Sequence, residues 1–584
     1  MAENRVSIKI GGEAGYGIMT AGATLAKSFS RGGLNVHTYS EFPSLIRGGH
    51  NTYQICAAPE PVYSHWDKIQ VLLALNEETI ALHWQELTPG GAVIYDSQKV
   101  QLKPDLVRRT DVHVAGVPLE ALAEKAGGKI MMNTVSVGAA LSMCDFPFEF
   151  LESAIRDQFA KRKEIADQNS AAARAGYDHV GQNFSALRPA HVSPVPGAPR
   201  RIVIAGNDAV CLGALRAGVK FHAQYPMTPA SSMLHFFAAQ ERNYNMVSKQ
   251  VEDEIAAINF AIGANFTGAR AMAGTSGGGF SLMVEALGMA GMTEVPLVIV
   301  EVQRPGPSTG MPTWTDQGDL QFVIHASQGE FPRLVIAPGD QEELFFETFN
   351  AFNFAERYQM PVIVLSDKYI AEGMRSYEPF RWQDLKVDRG KLITEGEAQE
   401  LFKKDGGDWF KRFRFTDDGV SPRTLPGMRG GMFVAATDEH DETGEIVEAA
   451  DNRKQMMSKR MGKLEVVAKE IPGPKFYGPK EADLTLVCFG STKGTVLETF
   501  KDFERNNLKV NMLHFVYMHP FPAQDAGKKL ATCKKWATVE ANFTGQLEAL
   551  IAQHTGKRPA HAFRRWDGRP FSPEWLFSKV EEVL

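Results

Sequence analysis

Residues 269–302 read ARAMAGTSGGGFSLMVEALGMAGMTEVPLVIVEV. An apolar run, Ala269–Ala273, halts at Gly274-Thr275-Ser276-Gly277-Gly278-Gly279. A helix-length segment, Phe280–Met292, follows, and a second apolar run, Leu297–Val302, closes the unit. Strand, glycine turn, helix and strand in that order form a parallel crossover, and ligands of such sheets gather at the carboxyl ends of the strands. Upstream, Arg201-Ile202-Val203-Ile204-Ala205-Gly206 and a helix from about Asp208 read as the opening of the same sheet. Downstream, Leu334–Ala337 and Val362–Leu365 add strands. The whole predicts a doubly wound parallel α/β domain over 201–380.

Outward from this centre, Val6–Ile10 is a strand leading into Gly11-Gly12-Glu13-Ala14-Gly15-Tyr16-Gly17 and a helix through Ala21, Leu25 and Ala26. With strand runs at Val71–Leu75 and Ala92–Tyr95 and helices between them, residues 1–188 read as a small α/β domain. Pro189, Pro194, Pro196 and Pro199 mark 189–200 as a linker. Residues 381–480 form a charged connecting region in which Arg453–Lys469 reads as an exposed helix. Leu484–Gly490, Val510–Val516 and Ala537–Glu540 make 481–584 a last α/β domain. At ~100–200 residues per domain this division suits a chain of 584 residues.

Composition narrows the class. Hydrophobic residues are 44%, charged residues 23% and the net charge is −6, without a basic stripe, so nucleic acid is not an expected partner. The start shows no signal segment and no apolar run is long enough to span a bilayer, which makes a soluble cytoplasmic protein the expectation. Cys56, Cys144, Cys211, Cys488 and Cys533 are scattered with no C-x-x-C pair, so an iron–sulfur cluster is not expected on this chain.

Three loops of the central domain carry chemistry beside the glycine turn. In Tyr225-Pro226-Met227-Thr228-Pro229-Ala230-Ser231-Ser232, Thr228 reads as a helix cap with Pro229 in the first turn. Val251-Glu252-Asp253-Glu254-Ile255-Ala256-Ala257 opens a helix with acids, which suits its dipole, and continues so apolar that the helix should be buried. Gln303-Arg304-Pro305-Gly306-Pro307-Ser308-Thr309-Gly310-Met311-Pro312-Thr313 puts an arginine at a buried strand's end, placed to grip a carboxylate. His440, in an acidic run, reads as part of a solvated or interface loop rather than as a metal ligand.

Taken in order, Y-P-M-T-P-A-S-S, E-D-E-I-A-A-I, G-T-S-G-G-G and R-P-G-P-S-T-G-M-P-T resemble the α subunits of 2-oxoacid:ferredoxin oxidoreductases. So do Thr437–Glu442, Phe521-Pro522 and Val539–Leu547. Gly11–Gly17 and Pro43-Ser44-Leu45-Ile46-Arg47-Gly48-Gly49 resemble the γ subunit, here fused in front. The resemblance implies a pyrimidine-type thiamine diphosphate domain, a γ-type N-terminal domain and a transketolase-C-like C-terminal domain. It implies that Glu254, rather than its rival Glu252, bonds the aminopyrimidine ring and, with Thr228 and Arg304, is catalytic. Pro229, Thr275, Ser276 and Gly277 would line the cofactor. Thr228, Arg304, Ser308 and Thr309 would face the substrate. Gly12, Gly15, Gly17 and Arg47 would contact coenzyme A, although a tight structural turn explains the Gly11–Gly17 loop equally well and Arg47 could as well meet a partner subunit.

The resemblance further implies a separate β subunit holding Mg²⁺, the diphosphate and a [4Fe–4S] cluster, an α2β2 heterotetramer and ferredoxin as acceptor. The fused γ–α order looks most like the 2-oxoglutarate group, converting 2-oxoglutarate and coenzyme A to succinyl-CoA and CO₂. Run backwards, as in a reductive TCA cycle, the reaction is a reductive carboxylation. Branched-chain 2-oxoacids, pyruvate and indolepyruvate stay open as substrates, as does a non-catalytic coenzyme-binding scaffold.

Overall fold

The computed structural model describes residues 4–45, 48–102, 107 and 109–584. Arg47, one of the residues expected at coenzyme A, lies outside them.

The first body is built on an eight-stranded mixed sheet. Val6–Glu13 lies at its centre, parallel to Ile69–Ala74 and antiparallel to His50–Ala58. Leu87–Asp96 and His113–Val117 extend the parallel side. Asn35–Glu41 extends the other, followed by two strands from far along the chain, Met374–Tyr377 and Ile202–Ala205. The sequence reading is corrected here in two respects. Between the first strand and residue 71 the expected helix is present, at Ile18–Arg31, but the antiparallel pair Asn35–Glu41 and His50–Ala58 follows it, where no strand was expected. Ile202–Ala205 is a strand, but it pairs antiparallel with Met374–Tyr377 at the edge of the first sheet rather than opening the central one. Helices Met132–Met143 and Lys163–Asn183 cross in close contact over this sheet. A Cβ on Gly138 would lie 1.9 Å from the Ala173 carbonyl oxygen, and one on Gly176 2.0 Å from that of Val135, so only glycine permits the approach.

The central sheet has seven strands in the spatial order 517–519, 334–336, 361–367, 297–303, 271–275, 221–224 and 247–250. All neighbours pair parallel except Tyr517–His519, which the C-terminal region contributes antiparallel to Leu334–Ile336. Leu297–Gln303 is buried throughout. Its Leu297 and Ile299 pack into one core and its Val298, Val300 and Val302 into another, which is why it reads as a continuous apolar run. A third, five-stranded sheet spans 475–564.

The region 381–480 wraps the central body. Its long helix, Ala450–Glu470, is exposed along one face as expected, but its other face is interior: Met456, Lys459, Arg460, Lys463 and Val467 are buried. Lys459 and Lys463 both reach the fully buried Glu294, Lys459 on Oε1 and Lys463 on Oε2. His440, expected in a solvated or interface loop, is buried within this chain with its ring 4.2 Å from that of Phe413. Among the described residues no helix is long and apolar enough to cross a membrane, and no cluster of His, Cys, Asp or Glu could hold a metal ion.

Candidate active site

Helix Glu254–Phe266 begins with Asp253 as its cap: the Asp253 carboxylate accepts from the Ala256 N–H at 2.7 Å. That cap turns the next residue inward. Glu254 is only 4% exposed, whereas Glu252, the rival acid, faces solvent. Burial raises the Glu254 pKa and the charge of Asp253 adds to the rise, while Arg304 opposes it. A carboxyl in this state shares a proton readily.

The glycine turn meets Glu254 directly. Ser276 precedes helix Gly277–Met292 as its cap residue without a side-chain cap bond, and its buried hydroxyl has no partner among the described residues. A Cβ on Gly279 would lie 2.2 Å from the Thr275 hydroxyl and 2.5 Å from Glu254 Oε1, so this glycine admits both groups. On Gly278 a Cβ would lie 3.2 Å from the Met227 methyl and 3.6 Å from the Ser308 carbonyl oxygen. All four expected loops therefore meet at one spot.

Thr228 does not cap a helix as the sequence suggested. The helix starts later, at Ser231, with Ala230 in the cap position. Thr228 instead offers its carbonyl, which accepts from Arg304 Nη1 at 2.7 Å, and both Thr228–Pro229 and Gly306–Pro307 are cis. Pro229 is held by Asn207, whose Nδ2 donates to its carbonyl at 2.8 Å, and Gln224 Nε2 donates to the Ala230 carbonyl at 3.0 Å. Arg304 is 8% exposed, and burial lowers its pKa. The carboxyls of Asp319, Glu254 and Glu301 act on it through their field, without an ion pair within 4.0 Å among the described residues. Its remaining donors are free for a ligand's carboxylate. Ser308, at φ 56°, and Thr309 sit on the exposed tip of the loop.

The segment after Arg304 is tied to both other bodies. The Thr313 hydroxyl donates to the Phe42 carbonyl at 2.5 Å, just after strand Asn35–Glu41. The Thr315 N–H donates to the Gly568 carbonyl at 3.2 Å, and the Gln317 N–H to that of Ala541 at 2.7 Å. The glycine turn of the first body has Gly12 in the strand, Gly15 at φ 94° facing open space and Gly17 at φ 65° as a helix cap.

Sequence reasoning missed Asn207, Gln224, Glu301, Asp316 and Asp319. Glu301 left a signal: an acid inside the apolar run 297–302 must be buried. It also expected helix Glu254–Phe266 to be buried all round, yet Ile255 is 50% and Phe260 46% exposed. Leu282, on the neighbouring helix, is exposed too.

A buried carboxyl beside a glycine floor, an unpartnered hydroxyl and an unpaired guanidinium suit thiamine diphosphate, whose aminopyrimidine needs an acid and whose substrates carry a carboxylate. Comparisons agree. Residues 212–459 match the family described as pyruvate flavodoxin/ferredoxin oxidoreductase, thiamine diphosphate-binding. Residues 7–179 match pyruvate ferredoxin/flavodoxin oxidoreductase, and 482–576 match pyruvate:ferredoxin oxidoreductase core domain II. The 2-oxoacid:ferredoxin oxidoreductase α subunit of a Sulfolobus species is 33% identical over 99% of this chain and 96% of its own. The 2-oxoglutarate oxidoreductase subunit KorA of Mycobacterium tuberculosis is 31% identical over 94% of this chain and 86% of its own. The solved 2-oxoglutarate:ferredoxin oxidoreductase from Magnetococcus marinus, with 2-oxoglutarate, coenzyme A and succinyl-CoA bound, superposes with a TM-score of 0.90 at 33% identity over 99% of both chains. Matched along its length in sequence and in fold, this chain belongs to the 2-oxoacid:ferredoxin oxidoreductase family, as an α subunit.

Proposed function

We propose that this chain is the pyrimidine-side half of an enzyme that decarboxylates 2-oxoglutarate oxidatively, passing the acyl group to coenzyme A and electrons to ferredoxin. The observation that carries the reading is Glu254, buried against Gly279 and Thr275 and facing the field of the unpaired Arg304. Glu254 holds a proton for the pyrimidine ring, with Pro229, Thr275, Ser276 and Gly277 lining the cofactor. Thiamine diphosphate, when bound, supplies the carbanion-stabilising centre that 2-oxoacid decarboxylation requires. Arg304 and Thr228 hold the substrate's carboxylate and oxo group, and Ser308 and Thr309 cover it from the loop tip. Gly12, Gly15, Gly17 and Arg47 take coenzyme A.

A β subunit completes the site with Mg²⁺, the diphosphate-binding residues and a [4Fe–4S] cluster, in an α2β2 assembly. Two features support a partner: the exposed apolar side chains of Ile255, Phe260 and Leu282 on the two helices that open at the site, and five free cysteines, four of them buried. The free thiols also suit the cytoplasm, the location proposed. The choice of 2-oxoglutarate among 2-oxoacids rests on the M. marinus and M. tuberculosis relatives.

The test is reduction of methyl viologen by the co-expressed complex with coenzyme A and a panel of 2-oxoglutarate, pyruvate, branched-chain 2-oxoacids and indolepyruvate. 2-Oxoglutarate should give the highest kcat/KM. Preference for another acid would change the substrate, and silence with every acid would end the enzymatic reading.

A further inference from the structure

Behind Arg304 lies a set of carboxyls that the roles above leave unused. Glu301, on strand Leu297–Gln303, is 0% exposed, and neither of its oxygens has a hydrogen-bond partner among the described residues. It faces the carboxyl of Asp319. Two facing carboxylates repel each other. They bond only when one proton is held between them. Asp319 is fixed in place from two sides. Its N–H donates to Gln303 Oε1 at 3.0 Å, one residue before Arg304, and Gln303 Nε2 donates to the Ser366 carbonyl at 3.1 Å. Its Oδ2 would lie 2.4 Å from a Cβ on Gly277, so helix Gly277–Met292 opens with glycine where this carboxyl presses on its first turn.

We propose that Asp319, sharing a proton with Glu301, is a positioning residue that sets how tightly Arg304 grips the substrate's carboxylate. This rests on the function proposed above. Arg304 is anchored to the Thr228 carbonyl through one nitrogen, and its other donors have no partner among the described residues. A substrate carboxylate entering there competes with the charge on Asp319. The groups facing the pair are Arg304 and Glu254, Asp316 on the segment before Asp319, and Asp367 at the end of strand Pro361–Asp367. Arg304 is the one cation in this set, and each added negative charge weakens its hold on an anion. Burial raises Asp319 to about 6, with Arg304 and Glu301 acting the other way, and burial with the charges of Asp319 and Asp367 raises Asp316 to about 7. Asp319 is thus neutral below that value and charged above it. Substrate binding should take up a proton, and the KM should rise as the pH climbs.

The experiment measures KM and kcat for the preferred 2-oxoacid on the assembled holoenzyme between about pH 5.5 and 8.5. The wild type should show KM rising about tenfold across this range. Asp319→Asn should keep KM low and flat. Glu301→Gln replaces the acid O–H that lowers Asp319 with a weaker amide donor, and should move the rise to higher pH. Neither shift should be mirrored in the pH dependence of kcat, which a merely structural defect would disturb together with KM. A wild-type KM profile in a folded, cofactor-loaded Asp319→Asn complex overturns the proposal, as does a flat wild-type profile. Should Asp319→Asn fail to assemble, Glu301→Gln decides: an unmoved rise overturns the proposal. A wild-type complex that turns over no 2-oxoacid removes the functional reading and this proposal with it; the other negative results remove this proposal alone.

Discussion

Glu254 sits under two opposed influences. The first turn of a helix favours a carboxylate, while burial favours the neutral acid, and burial prevails. An acid balanced in this way is lost as a proton donor when it becomes an amide. Glu254→Gln should therefore lower kcat by about 100- to 10,000-fold, read in the viologen assay, with the complex still assembling. Arg304→Ala should reduce kcat/KM by about 10- to 100-fold, from the ~1.5–3 kcal/mol of a hydrogen bond to a charged group. Gly279→Ala makes a different demand. Its new methyl would lie on the Thr275 hydroxyl and Glu254 Oε1, so titration of the assembled enzyme with thiamine diphosphate should show weakened binding.

Among elements, helix Ala450–Glu470 illustrates how a charged sequence can be an interior one. Burial alone pushes the Glu294 carboxyl up, but Lys459, Lys463 and Arg412 outweigh it and hold the group far below the usual carboxylate range. Glu294→Gln leaves two lysines buried without their counter-charge and should cost about 3–5 kcal/mol in a urea titration. A folded pKa below the unfolded one contributes stability that is present above the unfolded pKa and lost as the pH falls through the folded value. The wild type should accordingly weaken below about pH 4, and Glu294→Gln should show less of that acid loss.

Such pairings explain what the sequence hid. The apolar parallel strands 271–275, 297–303 and 361–367 were legible because both faces are buried. Strands Asn35–Glu41 and His50–Ala58 were not, since His37, Thr38, Ser40, Thr52 and Gln54 are polar yet buried. Ser376 accepts from the Val36 N–H, and Gln54 Nε2 donates to the Trp66 carbonyl. Glu254, Thr228 and Arg304 were legible as motifs, but the carboxyl pair behind Arg304 was not. It joins residues 301 and 319 through a fold, not a spacing.

Across the whole molecule the three bodies exchange parts. Ile202–Ala205 and Met374–Tyr377 flank the central domain in sequence but complete the first sheet, and Tyr517–His519 joins the central sheet from the C-terminal region. Lys493 of the C-terminal body bonds Asp340 at 2.7 Å and Glu343 at 2.5 Å on the central one, and Trp66 Nε1 of the first body bonds Glu498 at 2.9 Å. Proteolytic nicking within 189–200 should leave the fragments together in gel filtration. Their separation without denaturant would contradict the shared sheet.

The stretch from Thr313 to Gln317 has one hydroxyl on the first body and two amides on the last. It acts as a crossbar between them, and the Thr315 hydroxyl ties it to the central body as well, donating to Asp367 Oδ1 at 3.3 Å. A molecule on the N-terminal body that displaced Phe42 would pull on the segment following Arg304, and whatever change it made in the affinity of Arg304 for its own guest would, by thermodynamic reciprocity, be returned in equal measure.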